Sequence, residues 1–203
     1  MFKKLLLFFM GLFIIQLGVA IFLELNIGSD PFTIFTQGVA GLLGTTPGAA
    51  NRLLTTLIFL VILMTNRKNI NMGTFLSIVC VGVVLDGMLV LITPIQLSAY
   101  PLLIKIVLFM LACIIIGIGV SILKCATLGV PPNDLVYFTM MDVLDKPYGK
   151  VRMITDILFA VIGISLGGII GIGTILCILL LGPIVQFFLP KIEKLTNRFL
   201  GTY

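Results

Sequence analysis

The chain repeats itself. A step of 101 residues carries Gly18 onto Gly119, Gly28 onto Gly129, Pro31 onto Pro132 and Gly48 onto Gly149. The same step takes Val19, Ile21 and Leu57 onto Val120, Ile122 and Leu158. With one residue deleted, a step of 100 carries Gly73-Thr74 onto Gly173-Thr174, Leu76 onto Leu176 and Gly82 onto Gly182. Aliphatic matches come cheaply in a chain that is 60% hydrophobic. Glycine and proline matches do not, because they mark chain breaks and close approaches. The fold must therefore be two copies of one unit, and internal duplication of this kind is frequent among membrane transporters.

Only 10% of the residues are charged, against about 25% in soluble globular proteins. Six stretches can cross a bilayer: 5–23, 49–64, 72–92, 102–123, 153–170 and 172–189. The first has 19 residues, roughly 28 Å as a helix, close to the thickness of a hydrocarbon core. The start, Met1-Phe2-Lys3-Lys4, imitates a signal peptide. The apolar run behind it exceeds the roughly 7–15 residues of such peptides and no A-x-A-like site follows, so a retained span is expected.

Two further apolar segments, 31–43 and 132–144, hold 13 residues each and at roughly 20 Å are short for a crossing. With six spans, all 13 Lys and Arg except Arg52 and Lys105 fall on one side. Eight spans would move Arg67, Lys68 and Lys124 across, so the positive-inside rule favours six, with both termini cytoplasmic. The Arg67–Lys68 turn is then inside and the segment 93–100 outside. Three spans per half is odd, so the second half enters from the opposite side. The expected fold is all-α: one transmembrane domain of six helices in two inverted repeats, 1–95 and 96–203. Each repeat carries a short re-entrant or interfacial helix.

Several functions are excluded or disfavoured. The net charge of +5 sits at helix ends with no soluble basic domain, so nucleic acid is not a partner. Cys80, Cys113, Cys125 and Cys177 lie in or at the ends of apolar spans without C-x-x-C spacing and read as packing residues. The absence of histidine removes His-ligated metal and Ser-His chemistry. No cofactor motif is present, and no nucleophile–base set points to an enzyme. With no tryptophan, interfacial anchoring is assigned to Tyr100, Tyr137, Tyr148 and Tyr203.

Each short segment follows a glycine and opens with proline: Gly28-Ser29-Asp30-Pro31 and Gly129-Val130-Pro131-Pro132. Glycine lets the chain leave a helix and proline costs nothing at the first helical position. Asp30 is placed to cap the amide of Phe32 or Thr33. Either segment can lie flat in an interface, with Phe32, Phe35, Val39 and Leu42 on the apolar side of the first. Alternatively it can re-enter with its start at a polar cavity.

Charges inside spans cost about 2.5–3.5 kcal/mol at a helix centre. Asp86 stands in the outer part of the third span, and Arg152 and Asp156 form an i,i+4 pair. Their repeat mates are Asn51 and Thr55. Glu24, Lys105, Lys124 and Asp142 read as snorkelling residues. The glycines at 11, 18, 163 and 167 read as sites of close helix packing.

The run Gly28-Ser29-Asp30-Pro31-Phe32-Thr33 with Gln37-Gly38, and Gly171-Ile172-Gly173-Thr174 leading to Gly182-Pro183, resembles the YczE-like bacterial membrane proteins, distantly akin to the YitT group. The likeness spans essentially the whole chain. It implies a multi-pass protein of the bacterial cytoplasmic membrane and carries no active site with it. Relatives often have an acid soon after Gly-Pro in the last span. Here that position is Gln186, and the acid stands at the repeat-related place, Asp86.

A small secondary transporter fits best: inverted repeats give two conformations open to opposite sides around a midplane site. Its partners are the lipid bilayer and an unidentified small solute or ion. The candidate binding residues are Asp30, Thr33, Asp86, Asn133, Asp134, Arg152 and Asp156. Carboxylates beside helix N-termini point to a cation, a proton-coupled substrate or a zwitterion. The alternatives are a passive channel, for which 102–123 offers no polar stripe, and a non-transporting accessory protein, for which short loops leave little docking surface.

Overall fold

A computed structural model describes residues 1–45, 47–65, 70–168 and 170–200, with the backbone alone at 47–49, 52 and 65. The described residues form eight helices: α1 (Phe2–Leu25), α2 (Pro31–Leu43), α3 (Pro47–Thr65), α4 (Met72–Ile92), α5 (Leu102–Cys125), α6 (Pro132–Leu144), α7 (Tyr148–Ser165) and α8 (Ile172–Leu200). Two 3-10 turns, Thr93–Ile95 and Leu97–Ala99, join α4 to α5. No strand occurs among the described residues.

The core is the crossing of α1 and α5. An ideal Cβ on Gly119 would stand 2.9 Å from Ile15 N and 3.0 Å from Gly11 O. One on Gly11 would stand 2.9 Å from Leu123 N and 3.0 Å from Gly119 O, and Gly18 lies against Ala112 and Ile116. Contact numbers rise along one helix as they fall along the other, so the pair is antiparallel. Phe22 stacks on Phe109 at 3.9 Å further along the same seam. Close backbone approach of this kind supplies van der Waals attachment where lipid weakens the hydrophobic drive.

Around this crossing the contacts recur in pairs. Gly73, opening α4, faces the ring of Phe8, and its N–H donates to Leu128 O at 2.6 Å. Gly173, opening α8, faces the ring of Phe109, and its N–H donates to Ile27 O at 2.8 Å. Each partner in the first set steps by about 101 residues onto its partner in the second. Gly28 (φ +129°) lies against Thr174 and Gly129 (φ +111°) against Thr74 in the same reciprocal way. These positive-φ turns need glycine twice over, for backbone conformation and for space.

The short helix α2 starts as its sequence dictates. The Asp30 carboxylate accepts from Thr33 N at 3.1 Å, Pro31 takes the first position, and Gly44 (φ 62°) ends the helix. It packs lengthwise along α7: Phe32 and Phe35 lie 5.5 and 5.6 Å from the Phe159 ring, and Gly38 sits on Gly163. Numbers rise together, so the two helices are parallel and α2 starts beside the middle of α7. Of the four apolar-face residues expected, Phe32 is buried and Phe35 and Val39 are half-buried, but Leu42 is 69% exposed, and Ile34, Gly38 and Ala40 are buried as well. Gly163 serves close packing as read from its G-x-x-x-G, whereas Gly167 (φ 91°) lies beyond the end of α7. The four cysteines are free, two buried and two half-buried.

By length and apolarity, four of the described helices suffice to cross a membrane: Phe2–Leu25, Met72–Ile95, Leu102–Cys125 and Ile172–Leu200. The remaining two of the six expected spans are α3 and α7, with 19 and 18 residues. They have the length for about 27 Å but carry polar groups in their first turns. The last helix, α8, continues past the expected span end at 189 as far as Leu200, through Pro183 and Pro190. Lys3 Nζ donates to Phe199 O at 2.9 Å, which brings the start of α1 beside the end of α8. The Arg67–Lys68 turn lies outside the described residues.

Replacing Gly119 with Val should cost about 1–3 kcal/mol through overpacking of the α1–α5 seam, read as a lower melting temperature in detergent. Gly82→Ala, with nothing within 4 Å of an ideal Cβ, should not lower it. Equal effects would remove the seam from its central place.

Candidate functional site

The chemistry concentrates where α6 and α7 meet. Tyr148, Arg152 and Asp156 follow one another at intervals of four on α7 and share a face. Asp134 and Tyr137 stand three apart on the opening turns of α6. All five are buried. Arg152 is held from three sides. Its NH1 group donates to Tyr148 Oη at 2.7 Å and lies 3.8 Å from Asp134 Oδ1. Its Nε lies 3.5 Å from Asp156 Oδ2, and the guanidinium sits 4.4 Å above the Tyr137 ring. Tyr137 Oη donates to Asp156 Oδ1 at 2.6 Å.

The ion pairs are close enough to neutralise charge yet too long for good hydrogen bonds. Arg152 Nε and Asp156 Oδ2 are buried without a hydrogen-bond partner among the described residues. Buried polar atoms left unpaired cost about 1–3 kcal/mol each, more when charged. Such slack is expected where a group must exchange partners during function and is wasteful in a purely structural pair.

A third carboxylate comes from the other half, at the start of the helix that packs on α7. Asp30 accepts from Thr33 N at 3.1 Å and Thr33 Oγ1 at 2.5 Å. Phe32 meets Phe159, one turn beyond Asp156. A cleft of about 350 Å³ lined by Asn26, Gly28, Ser29, Gln37, Ile170 and Gly171 opens at the turn that carries Asp30.

Of the candidate residues, the structure brings together Asp134, Arg152 and Asp156, with Asp30 and Thr33 alongside. Asn133 is half-buried in the first turn of α6. Asp86 is not brought to the cluster: it is exposed on α4, which packs on α1. Two residues were misassigned by sequence. Tyr137 and Tyr148 are not interfacial anchors but bond the charges. The four-residue spacing of Tyr148, Arg152 and Asp156 was the available signal. Tyr100 remains 41% exposed, and Tyr203 lies outside the described residues. Among the residues read as snorkelling, Glu24 accepts from Thr93 Oγ1 at 2.6 Å, and Lys124 Nζ lies 4.2 Å over the Phe138 ring. The first half repeats the polar spot without the charge: Thr55 Oγ1 donates to Asn51 Oδ1 at 2.9 Å.

Eight helices among the described residues, four of them long and apolar enough to cross a membrane, packed by glycine and enclosing an Arg–carboxylate cluster, are the build of a helical membrane protein. Residues 2–190 match a family described as "Family of unknown function (DUF6198)", and the chain belongs to that family. It is 33% identical over 196 residues to the "Uncharacterized membrane protein YczE" of Bacillus subtilis, covering 94% of this chain and 87% of that one. It is 26% identical over 186 residues, 91% of either chain, to the "Uncharacterized protein YyaS" of the same organism. An "Uncharacterized protein" of Haemophilus influenzae is 25% identical over 187 residues, 92% of this chain and 84% of that one. The YczE-like resemblance of the sequence is thus shown. No solved structure matches.

Truncating Arg152 to Ala should leave Asp134 and Asp156 buried without their counter-charge and cost about 3–5 kcal/mol. Adding Asp156→Asn to that variant should recover part of the loss. A double variant less stable than Arg152→Ala alone, by thermal unfolding in detergent, would contradict the electrostatic account.

Proposed function

We propose that this protein is a secondary transporter of the bacterial cytoplasmic membrane, moving a small solute by alternating access around the Asp134–Arg152–Asp156 cluster. The observation that carries the reading is a buried guanidinium shared by two carboxylates, beside the starts of two short broken helices. Two carboxylates to one guanidinium, with Asp30 near, leave room for one further positive charge. A proton or the cationic group of a solute supplies it. Asp30, Thr33 and Asn133 then line the path from the α2 and α6 starts, and Asp134 and Asp156 take up the charge.

The six-span inverted repeat is part of the same proposal. Reciprocal contacts, where residue i meets j and the mate of i meets the mate of j, are the mark of a two-fold relation. Because α1 and α5 run antiparallel, that axis is perpendicular to them and lies in the plane of the membrane. The lengthwise packing of α2 on α7 supports re-entrance over an interfacial position. The meeting of the start of α1 with the end of α8 supports an even number of crossings. Charge bias then places both termini in the cytoplasm. Single cysteines at Lys194 and Ser98, in a background lacking the native cysteines, should label from the inner and outer sides respectively. Labelling of both from one side would end the six-span scheme.

The functional test uses purified protein in liposomes. A thermal-shift screen against metabolites and inorganic ions identifies a ligand, whose uptake is then followed with and without a pH gradient. Asp134→Asn should alter uptake or its pH dependence with nearly unchanged folding, whereas Asp142→Asn, on the exposed last turn of α6, should do little. Unchanged uptake and pH profile in Asp134→Asn would refute the role of the cluster.

A further inference from the structure

The two halves differ at the seam between their last two long helices. In the second half, α7 and α8 are closed on each other. Gly182 is pressed on Gly149, an ideal Cβ on Gly182 standing 2.8 Å from Gly149 O. One turn on, Gln186 Oε1 accepts from Gly149 N at 3.1 Å. Gly149 is the second residue of α7, and an amide there has no partner within its own helix. In the first half the mates are Gly48, second residue of α3, together with Gly82 and Asp86 on α4. Here α3 and α4 touch through the rings of Phe59 and Phe75, 5.1 Å apart, but the seam is open beyond them: nothing lies within 4 Å of an ideal Cβ on Gly82, and Asp86 is exposed. A carboxylate on an exposed face of an apolar helix is costly and needs a reason.

We infer that Asp86 is a positioning residue for the second conformation, in which α4 closes on α3, Gly82 seats on Gly48 and the Asp86 carboxylate accepts from the Gly48 amide. The inference rests on the alternating-access reading. Two inverted repeats produce two states by exchanging their conformations, so the bond made by Gln186 in one state is made by its mate in the other. A carboxylate suits the task, because a helix N-terminus offers unpaired donors and the positive end of its dipole. The small Gly82–Gly48 contact provides the close approach that brings the acceptor within reach.

Two distances report the exchange. Spin labels at Leu57 and Val79 read the α3–α4 seam, and labels at Leu158 and Leu179 read its mate on α7–α8. All four side chains are exposed. Wild-type protein in liposomes should populate two states, one with the second pair short and the first long, the other reversed. Asp86→Ala should deplete the state with α3–α4 closed by tenfold or more. Asp86→Gln, which keeps an acceptor like that of Gln186, should restore it. If the wild type exchanges and Asp86→Ala leaves the populations unchanged, Asp86 has no such role while alternating access stands. If neither distance ever changes, both ideas fall together. Because Asp86 is exposed in the present state, its replacement should leave the α7–α8 distance of that state unchanged, which separates the effect from misfolding.

Discussion

Everything in this molecule hangs on how closely α1 and α5 approach. Lipid tails are as apolar as leucine, so two apolar helices in a bilayer gain little by hiding from their surroundings. They gain by fitting. Gly11, Gly18 and Gly119 remove the side chains that would hold the backbones apart, and Ile15, Ile116 and Leu123 fill the relief on either side. The flanking helices are then hung from this crossing by single backbone bonds, Gly73 N–H to Leu128 O and Gly173 N–H to Ile27 O. Those bonds also tie down the turns from which α2 and α6 depart, so the position of both short helices follows from one seam.

The polar cluster depends on that frame in turn. An arginine cannot be carried into an apolar bundle unless its charge and its donors are met there. Tyr137 and Tyr148 meet part of the need with a ring face and a hydroxyl, leaving the two carboxylates at longer range. The arrangement is secure enough to be folded and loose enough to be changed. Partial satisfaction of this sort is unfavourable for stability alone, and it is expected at functional sites rather than in structural pairs.

Much of this was legible in the sequence. Glycine and proline matches located the duplicated breaks because their backbone demands survive when aliphatic identity has drifted. The Asp30 cap, the Pro31 start and the Arg152–Asp156 spacing were readable for local reasons, since each depends on residues within one or two helical turns. What could not be read was tertiary. That Tyr137 faces Asp156 depends on the angle at which α6 meets α7. The exposure of Asp86 depends on which neighbour α4 lies against. The parallel packing of α2 on α7 joins segments more than a hundred residues apart, beyond the reach of any local pattern.

The neutral residues of the first half have a consequence of their own. Thr33, Asn51 and Thr55 stand where the second half has Asp134, Arg152 and Asp156. A pair of identical half-length chains associating across the same seam would carry either two charged centres or none. Covalent fusion of two unequal copies fixes the stoichiometry at one per molecule. One half is then free to specialise in holding charge while the other retains the hydroxyls and amide of an uncharged counterpart. Gene fusion in such a chain does more than tether two parts: it makes an asymmetric site heritable within a nearly symmetric frame.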